Sequence, residues 1–274
     1  MGMQVNTNIS ALNSYRNLTN TQNDLAKSLE KLSSGLRINH AADDAAGLAI
    51  SQGLQSQVGG LTVASRNAQD GISVIQTAEG SLSEVQTILQ RVRDLAVQSG
   101  NDSNNSDSRN AIQTEVTALT SELTRIGTSS NFNGTKLLDG AVSLTFQVGA
   151  GGVAADDQIA VSTTDVGAIA TAVGGLSFAS ATDALASINT IDTQITAVST
   201  ARASLGAQQN RFESVIRNLS VSTENLTAAK SRITDTDMAA EMVKYTRSNI
   251  LSQAGTAMLA QANQANQGVL TLLR

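Results

Sequence analysis

Over most of this chain the apolar positions recur at intervals of three and four, the spacing that lines up side chains on one face of an α-helix. Near the start, Leu25, Leu29, Leu32 and Leu36 step by 4, 3 and 4, which predicts a helix over residues 3–36. Gly35 and the Asn39-His40 pair then interrupt the pattern. Asp43-Asp44 carry the charges that suit a helix N-terminus, and a second helix is expected from there to about Gln98. Its later stripe is Leu82, Val85, Leu89, Val92 and Ala96. At ~1.5 Å per residue such a helix spans ~80 Å, the dimension of a rod. The polar run from Ser99 to Ser108 reads as a loop. A third helix follows, with Ile112, Val116, Leu119, Leu123 and Ile126 in one stripe, and is expected to fold back antiparallel on the second.

The period changes in the middle. Residues 131–180 are rich in Gly, Ser, Thr, Ala and Val, and Asn133-Gly134 is a strong turn signal. Leu144 to Val148 and Gln158 to Ser162 alternate with period two, predicting two strands joined by the Gly-rich loop 149–152 as a small hairpin. Helix is expected again from about Ala181. There Ile188, Ile191, Ile195, Val198, Arg202, Leu205, Gln209, Phe212, Ile216, Leu219, Thr223, Leu226, Lys230 and Ile233 alternate steps of 3 and 4. A sustained 3.5-residue repeat keeps its seam against a partner helix, and polar members such as Arg202 and Gln209 can fix the register. A last amphipathic helix is expected after Asp237, with Met238, Met242, Tyr245, Met258, Leu259, Val269 and Leu272 as its larger apolar members.

The two ends are weakly apolar, and isolated helices are marginal without tertiary packing. Candidate assembly residues are therefore Ile9, Leu12, Leu25, Leu29 and Leu32 at one end, and Met258, Leu259, Val269, Leu270, Leu272 and Leu273 at the other. Terminal helices of this kind order when they find a partner. The fold class expected is mainly α: an elongated bundle of long antiparallel, coiled-coil helices from both termini, with a small β-hairpin in the middle.

Composition sharpens this. Apolar residues make up 41% of the 274, yet only 2% are aromatic. Thin helical packing suits that balance better than a thick core anchored by rings. With no Cys, disulfides, thiol nucleophiles and thiolate metal sites are excluded. With no Pro, nothing forbids long helices and no X-Pro isomerisation can slow folding. A net charge of −5 gives no footprint for nucleic acid or anionic lipid. No apolar run approaches the roughly 18 residues of a membrane helix, so no membrane insertion is expected. The N-terminus also lacks the basic start and apolar stretch of a cleaved secretory signal.

Little remains for catalysis or a cofactor. His40 is the sole histidine, so no His-x-x-x-His zinc helix can form and Ser or Thr nucleophiles lack a general base. Asp43-Asp44 and Asp156-Asp157 read as a helix start and a solvated loop. Gly149-Ala150-Gly151-Gly152 lacks the Gly-Lys-Ser/Thr ending of a phosphate loop. The Asn-x-Ser/Thr triplets at Asn17, Asn133, Asn218 and Asn225 are expected by chance in so hydroxyl-rich a chain.

Several motifs carry a resemblance. Asn6-Thr7-Asn8-Ile9-Ser10-Ala11-Leu12, Leu32-Ser33-Ser34-Gly35-Leu36-Arg37-Ile38-Asn39 and Ala41-Ala42-Asp43-Asp44-Ala45-Ala46-Gly47-Leu48-Ala49-Ile50 resemble the N-terminal region of bacterial flagellins. So does Gln90-Arg91-Val92-Arg93-Asp94-Leu95-Ala96-Val97-Gln98. Towards the other end Leu205-Gly206-Ala207-Gln208-Gln209-Asn210-Arg211-Phe212, Ser231-Arg232-Ile233, Leu259 to Gln264 and Leu270 to Arg274 are similar too. The resemblance covers about residues 1–140 and 180–274. One departure is Asn266, where flagellins commonly carry Pro, which leaves the last helix free to continue. Another is the shortness of the central insert, which implies that large outer domains are absent.

The resemblance implies a secreted structural protein, not an enzyme and without a cofactor, that polymerises with itself into the extracellular flagellar filament for motility. It implies type III export in an unfolded state, and partnership with an export chaperone, a cap protein and hook-associated proteins. Residues 1–43 and 234–274 would form the inner core of the filament, 44–130 and 181–233 the outer tube, and 131–180 the exposed surface. It also implies that Gln90, Arg91, Leu95 and Glu115 form a surface read by the vertebrate flagellin-sensing Toll-like receptor and buried between subunits. From spacing alone, Arg91 and Leu95 share a helix face and neither lies on the seam, so Leu95 is expected to take a second partner. The rival within the same plan is a hook–filament junction protein, separable by its scarcity in sheared flagella. A filament-displayed protease would need a His-Glu-x-x-His helix that one His cannot supply, and a free adhesin has no use for two ends that want partners.

Overall fold

The computed structural model describes residues 7–264 in full and the backbone onward to Leu272. Along the chain run α1 (Ile9–Ser34), α2 (Ala45–Ser99), α3 (Ser106–Ser129), β1 (Asn131–Phe132), β2 (Thr135–Lys136), β3 (Ser143–Gln147), α4 (Ala154–Asp157), β4 (Gln158–Ser162), α5 (Val166–Gly174), α6 (Ala181–Thr234) and α7 (Met238–Leu272). Two compact units result, one of residues 1–56 and 225–274, the other of 57–224.

In the first unit α1 and α7 run antiparallel. The Asn8 side chain donates to the Ala262 carbonyl at 2.9 Å, and Ser28 meets the Glu241 carboxylate at the other end. Asn8 also caps α1, accepting the Ala11 N–H at 3.0 Å. Gly35 ends the helix at φ +72, a conformation that glycine adopts at no steric cost, with its N–H on the Lys31 carbonyl. The chain beyond pairs with the end of α6. Leu36 stands opposite Asp235, Arg37 N–H donates to the Thr234 carbonyl at 2.6 Å, and Thr236 N–H to that of Gly35 at 3.0 Å. Asp44 then starts α2 by accepting the Gly47 N–H at 2.8 Å. The absence of Pro has its consequence in α7, which continues unbroken past Asn266.

The second unit is built on α2 from residue 57, α3, and α6 up to residue 224. α2 and α6 lie antiparallel. Arg93 Nε is 2.6 Å from Asp192 Oδ1, and Arg202 bonds both Glu79 at 2.7 Å and Gln86 at 2.5 Å. Further along, a Cβ added to Gly71 would lie 2.9 Å from the ring tip of Phe212, so only glycine lets this ring approach α2 so closely. On α6, Ile191, Val198, Leu205, Phe212 and Leu219, seven apart, are buried, whereas Ile188, Ile195 and Ile216 on the alternate line are half-buried. The expected seam is therefore lopsided, with one of its two lines central and the other, carrying Arg202 and Gln209, at its edge. On α2 the expected Leu82, Val85, Leu89, Val92 and Ala96 are all buried. Val74, Ile88 and Leu95 form a further buried row, in which Ser81 lies 3.1 Å from Ser130 at the end of α3. α2 thus has two helical neighbours, and its apolar face is correspondingly wide.

The middle segment packs onto this frame. Asn133 and Gly134 take positive φ in the turn between β1 and β2. β3 and β4 pair antiparallel from Ser143↔Ser162 to Gln147↔Gln158, one residue off the expected first strand. Phe146 meets Phe212 edge-on, with ring centroids 5.6 Å apart. The connection is more than a glycine loop. α4 lies within it, and the Asp157 carboxylate gathers the N–H groups of Gly151 and Val153 at 3.2 and 3.0 Å. Helix α5, absent from the sequence expectation, is capped by Asp165 and buries Val166, Ile169, Ala170 and Val173 against α3.

Candidate functional site

Two surfaces concentrate the residues singled out in the sequence. The first lies on α2 and α3 in the second unit. Arg91 and Glu115 face solvent and are joined, Nη2 to Oε1, at 2.7 Å, with Gln90 exposed beside them. Leu95 is placed otherwise than expected, and this corrects the sequence reading: at 2% exposure it is core, not an open anchor. It belongs to the row of α2 turned towards α3, so its second partner lies within the same chain. Nearby, the Asp192 carboxylate raises the pKa of Arg93 above its ordinary value, through their hydrogen bond first and their charge attraction second.

The second surface belongs to the α1 and α7 pair. Leu25, Leu32 and Leu259 are half-buried between the helices, and Leu18, which the sequence stripe omitted, is buried. Ile9, Leu12, Leu29 and Met258 are exposed, Leu29 at 55%. The expected stripe on α1 is wider than the flank that α7 covers. The side chains of Val269, Leu270 and Leu272, and Leu273 entirely, lie outside the described residues. At the far end of α6, Leu226 and Ile233 are half-buried. More apolar surface stands open on α7, where Met238, Met242, Val243, Ile250 and Leu251 are exposed. Val243, Ile250 and Leu251 were missed, although Met242-Thr246-Ile250 and Val243-Arg247-Leu251 step by four along one side. An open groove runs between these two rows, and a second one joins Leu251, Gly255 and Met258 to Ser14 and Leu18 of α1.

Three carboxylates in this unit are held by hydrogen-bond donors, and one of them, Glu241, joins α7 to α1. Asp43 accepts the N–H groups of His40 and Asn39, which hold its carboxyl below the usual range. Asp235 is lowered by the Ser231 and Thr234 hydroxyls. Burial alone would raise Glu241, but the Ser28 hydroxyl and the Lys244 ammonium at 3.0 Å outweigh it and the net direction is down. Each is a carboxylate held ionised by donors, an arrangement that fixes geometry and does not poise a group for proton transfer. Among the described residues no group of three His, Asp or Glu converges as a metal site would, and no helix is long and apolar enough to cross a membrane. His40 lies 2.7 Å from Glu30, and both side chains are open to solvent. What the surfaces can do is associate.

Comparison with known proteins bears on what they associate with. A family model of the bacterial flagellin N-terminal helical region matches residues 5–143, and one of the bacterial flagellin C-terminal helical region matches residues 188–273. A flagellin of Halalkalibacterium halodurans is 51% identical over 275 residues, covering 99% of this chain and 100% of that protein. The flagellar filament 33 kDa core protein of Treponema phagedenis is 45% identical over 287 residues, with the same two shares. A solved structure from Vibrio parahaemolyticus, described as flagellar hook-associated, covers 70% of this chain and 100% of its own at a TM-score of 0.58. At 15% identity that likeness is one of fold alone.

Proposed function

The chain belongs to the bacterial flagellin family and is a structural subunit of the extracellular flagellar filament, and from that premise we propose how its surfaces serve assembly. The part of α7 that α1 leaves uncovered is the principal contact between subunits. One observation carries this reading: Met242, Val243, Ile250, Leu251 and Met258 are all exposed. At ~100° per residue they fan over about half the circumference of the helix. A single neighbour cannot cover so broad an arc, and copies arranged around a tube can. Covering it removes apolar area from water at roughly 25 cal/mol per Å², the driving force for most association.

On this reading residues 1–43 and 234–274 line the inner core, 44–130 and 181–233 form the outer tube, and 131–180 face the outside. Export is type III, in an unfolded state with a chaperone. A cap protein folds the subunit at the filament tip, and hook-associated proteins adjoin the filament base. A chain with neither Cys nor Pro suits that route, having no covalent crosslink and no slow prolyl step. Gln90, Arg91 and Glu115 serve as a surface for the vertebrate flagellin-sensing Toll-like receptor, with Leu95 supporting them from within. Electron micrographs of material assembled from the purified protein test the central part. Long tubular filaments are the expected result; failure to polymerise under any seeding condition would overturn it.

A further inference from the structure

With no Cys and no Trp, the thioethers of methionine are the softest, most readily oxidised groups in this chain. Of its five methionines, Met238, Met242 and Met258 are described, and all three lie on α7. They are exposed by 48%, 51% and 62%, whereas a methionine kept for core packing would be covered. Met242 lines the groove with Val243, Ile250 and Leu251, and Met258 lines the other with Leu18, Leu251 and Gly255. The oxidisable sulfurs of the described chain thus stand open on the surface read above as the subunit contact.

We propose that Met242 and Met258 form an oxidation-sensitive control on assembly, in which a peroxide converts the free subunit to an assembly-incompetent form and incorporation protects it. The inference rests on the reading of α7 as the contact between subunits. The chemistry is a two-electron oxygen transfer. A sulfur lone pair attacks the peroxide, the O–O bond breaks, an S–O bond forms, and with hydrogen peroxide the other oxygen leaves as water. Sulfur is oxidised, the peroxide is reduced, and no further co-reactant is needed. The product is a polar sulfoxide in place of a flexible apolar side chain. In solution it costs little, because the side chain is already in water. Buried against a second copy it places an unsatisfied dipole in an apolar contact, which is unfavourable. Oxidation therefore penalises the polymer and not the monomer, and the change is reversible by methionine sulfoxide reduction.

The test uses the full chain. Free subunits are treated with hydrogen peroxide, freed of it, and followed by sedimentation and circular dichroism. Assembly is expected to slow by about tenfold or more while helicity holds, and reductase treatment is expected to restore it. The variant carrying M238L, M242L and M258L, which keeps Met1 and Met3, is compared with its own untreated form, and its assembly rate is expected to be the same before and after peroxide. Subunits fully oxidised at Met242 and Met258 that polymerise like untreated ones would overturn the proposal. So would a leucine variant that peroxide still disables. Peptide mass spectrometry of peroxide-treated filaments separates the two layers. Met242 and Met258 oxidising as fast in filaments as in free subunits would remove the contact reading itself, and the proposal with it.

Discussion

Arg202 of α6 reaches over to Glu79 of α2, its Nη2 2.7 Å from Oε1, while its Nη1 lies 2.5 Å from Gln86. Glu79, Gln86 and Arg93 are seven apart on α2, and Arg93 meets Asp192 of α6 in turn. A polar ladder therefore edges the apolar seam. Slipping the two helices by one heptad would keep apolar residues in contact but part these partners, so the ladder selects the register. Both side chains of the Arg202 and Glu79 pair are partly exposed, which caps their mutual worth at about 1 kcal/mol. R202E should lower stability in urea unfolding, and adding E79R should restore part of it. Strictly additive effects of the two changes would contradict a coupled pair.

Leu95 and Arg91 should behave differently under substitution. L95A empties a packed site in the core and is expected to cost about 2–5 kcal/mol. R91A removes a solvent-facing ion pair with Glu115 and is expected to cost less than about 1 kcal/mol. In a receptor reporter assay with free subunits, R91A and E115A should weaken signalling without shifting the melting temperature. For L95A, lost signalling should track lost stability. Equal melting temperatures for all three variants would show that Leu95 is not held as core.

Acid should loosen the first unit. Asp43, Asp235 and Glu241 all have folded pKa values below their ordinary 3.8, 3.8 and 4.5. In each case the unfolded chain takes up its proton first as pH falls. Their stabilisation is complete above the ordinary values and is lost as pH drops through the folded ones. Amide protection factors in α1 and α7, each taken against the intrinsic rate at the same pH, should fall below about pH 4.5, ahead of those in the buried rows of α2 and α6. D43N should shrink that acid dependence. Protection factors in α1 and α7 that stay constant from neutrality down to about pH 3 would contradict the assignment.

The β3–β4 connection should accept added chain once its fastening is respected. Asp157 holds the Gly151 and Val153 N–H groups, while Ala154 and Ala155 are exposed. A short tag between Ala154 and Ala155 is expected to leave filaments and swimming intact, since closure entropy grows slowly with loop length. D157A should instead speed exchange at Gly151 and Val153. Secretion of the tagged subunit without filaments would mean that this tip contacts a neighbouring subunit.

Much of this architecture is legible in the steps of three and four. The stripe from Leu82 to Ala96 and the register from Ile188 to Ile233 point to α2 and α6, because a helix packed along its length must repeat its apolar residues. What the stripes omit is how many neighbours each helix has. Leu95 reads as a stray beside one seam until α3 is placed, when it becomes part of a second buried row. Leu29 reads as seam until α1 is seen to pack against α7 on one flank, which leaves it exposed. Helix α5 carries a complete signal, Asp165 as cap and Val166, Ile169, Ala170 and Val173 at i, i+3, i+4 and i+7. Gly167 and Gly174, and the Gly-rich strand region before them, hide it. Two-residue strands such as β1 and β2 are too short to have a period, so only their Asn133-Gly134 turn shows in the sequence.

The assembly role of α7 is tested most directly by placing charge on its open side. Ile250 and Leu251 are 61% and 51% exposed, so I250D with L251D should leave the free subunit folded. The measurement is the fraction of this double variant that pellets with filaments, beside its circular dichroism. The predicted result is unchanged helicity with the protein left in the supernatant, because two carboxylates cannot be buried unpaired in an apolar contact. Filaments forming from the double variant as they do from the unaltered chain would show that this side of α7 is not where subunits meet.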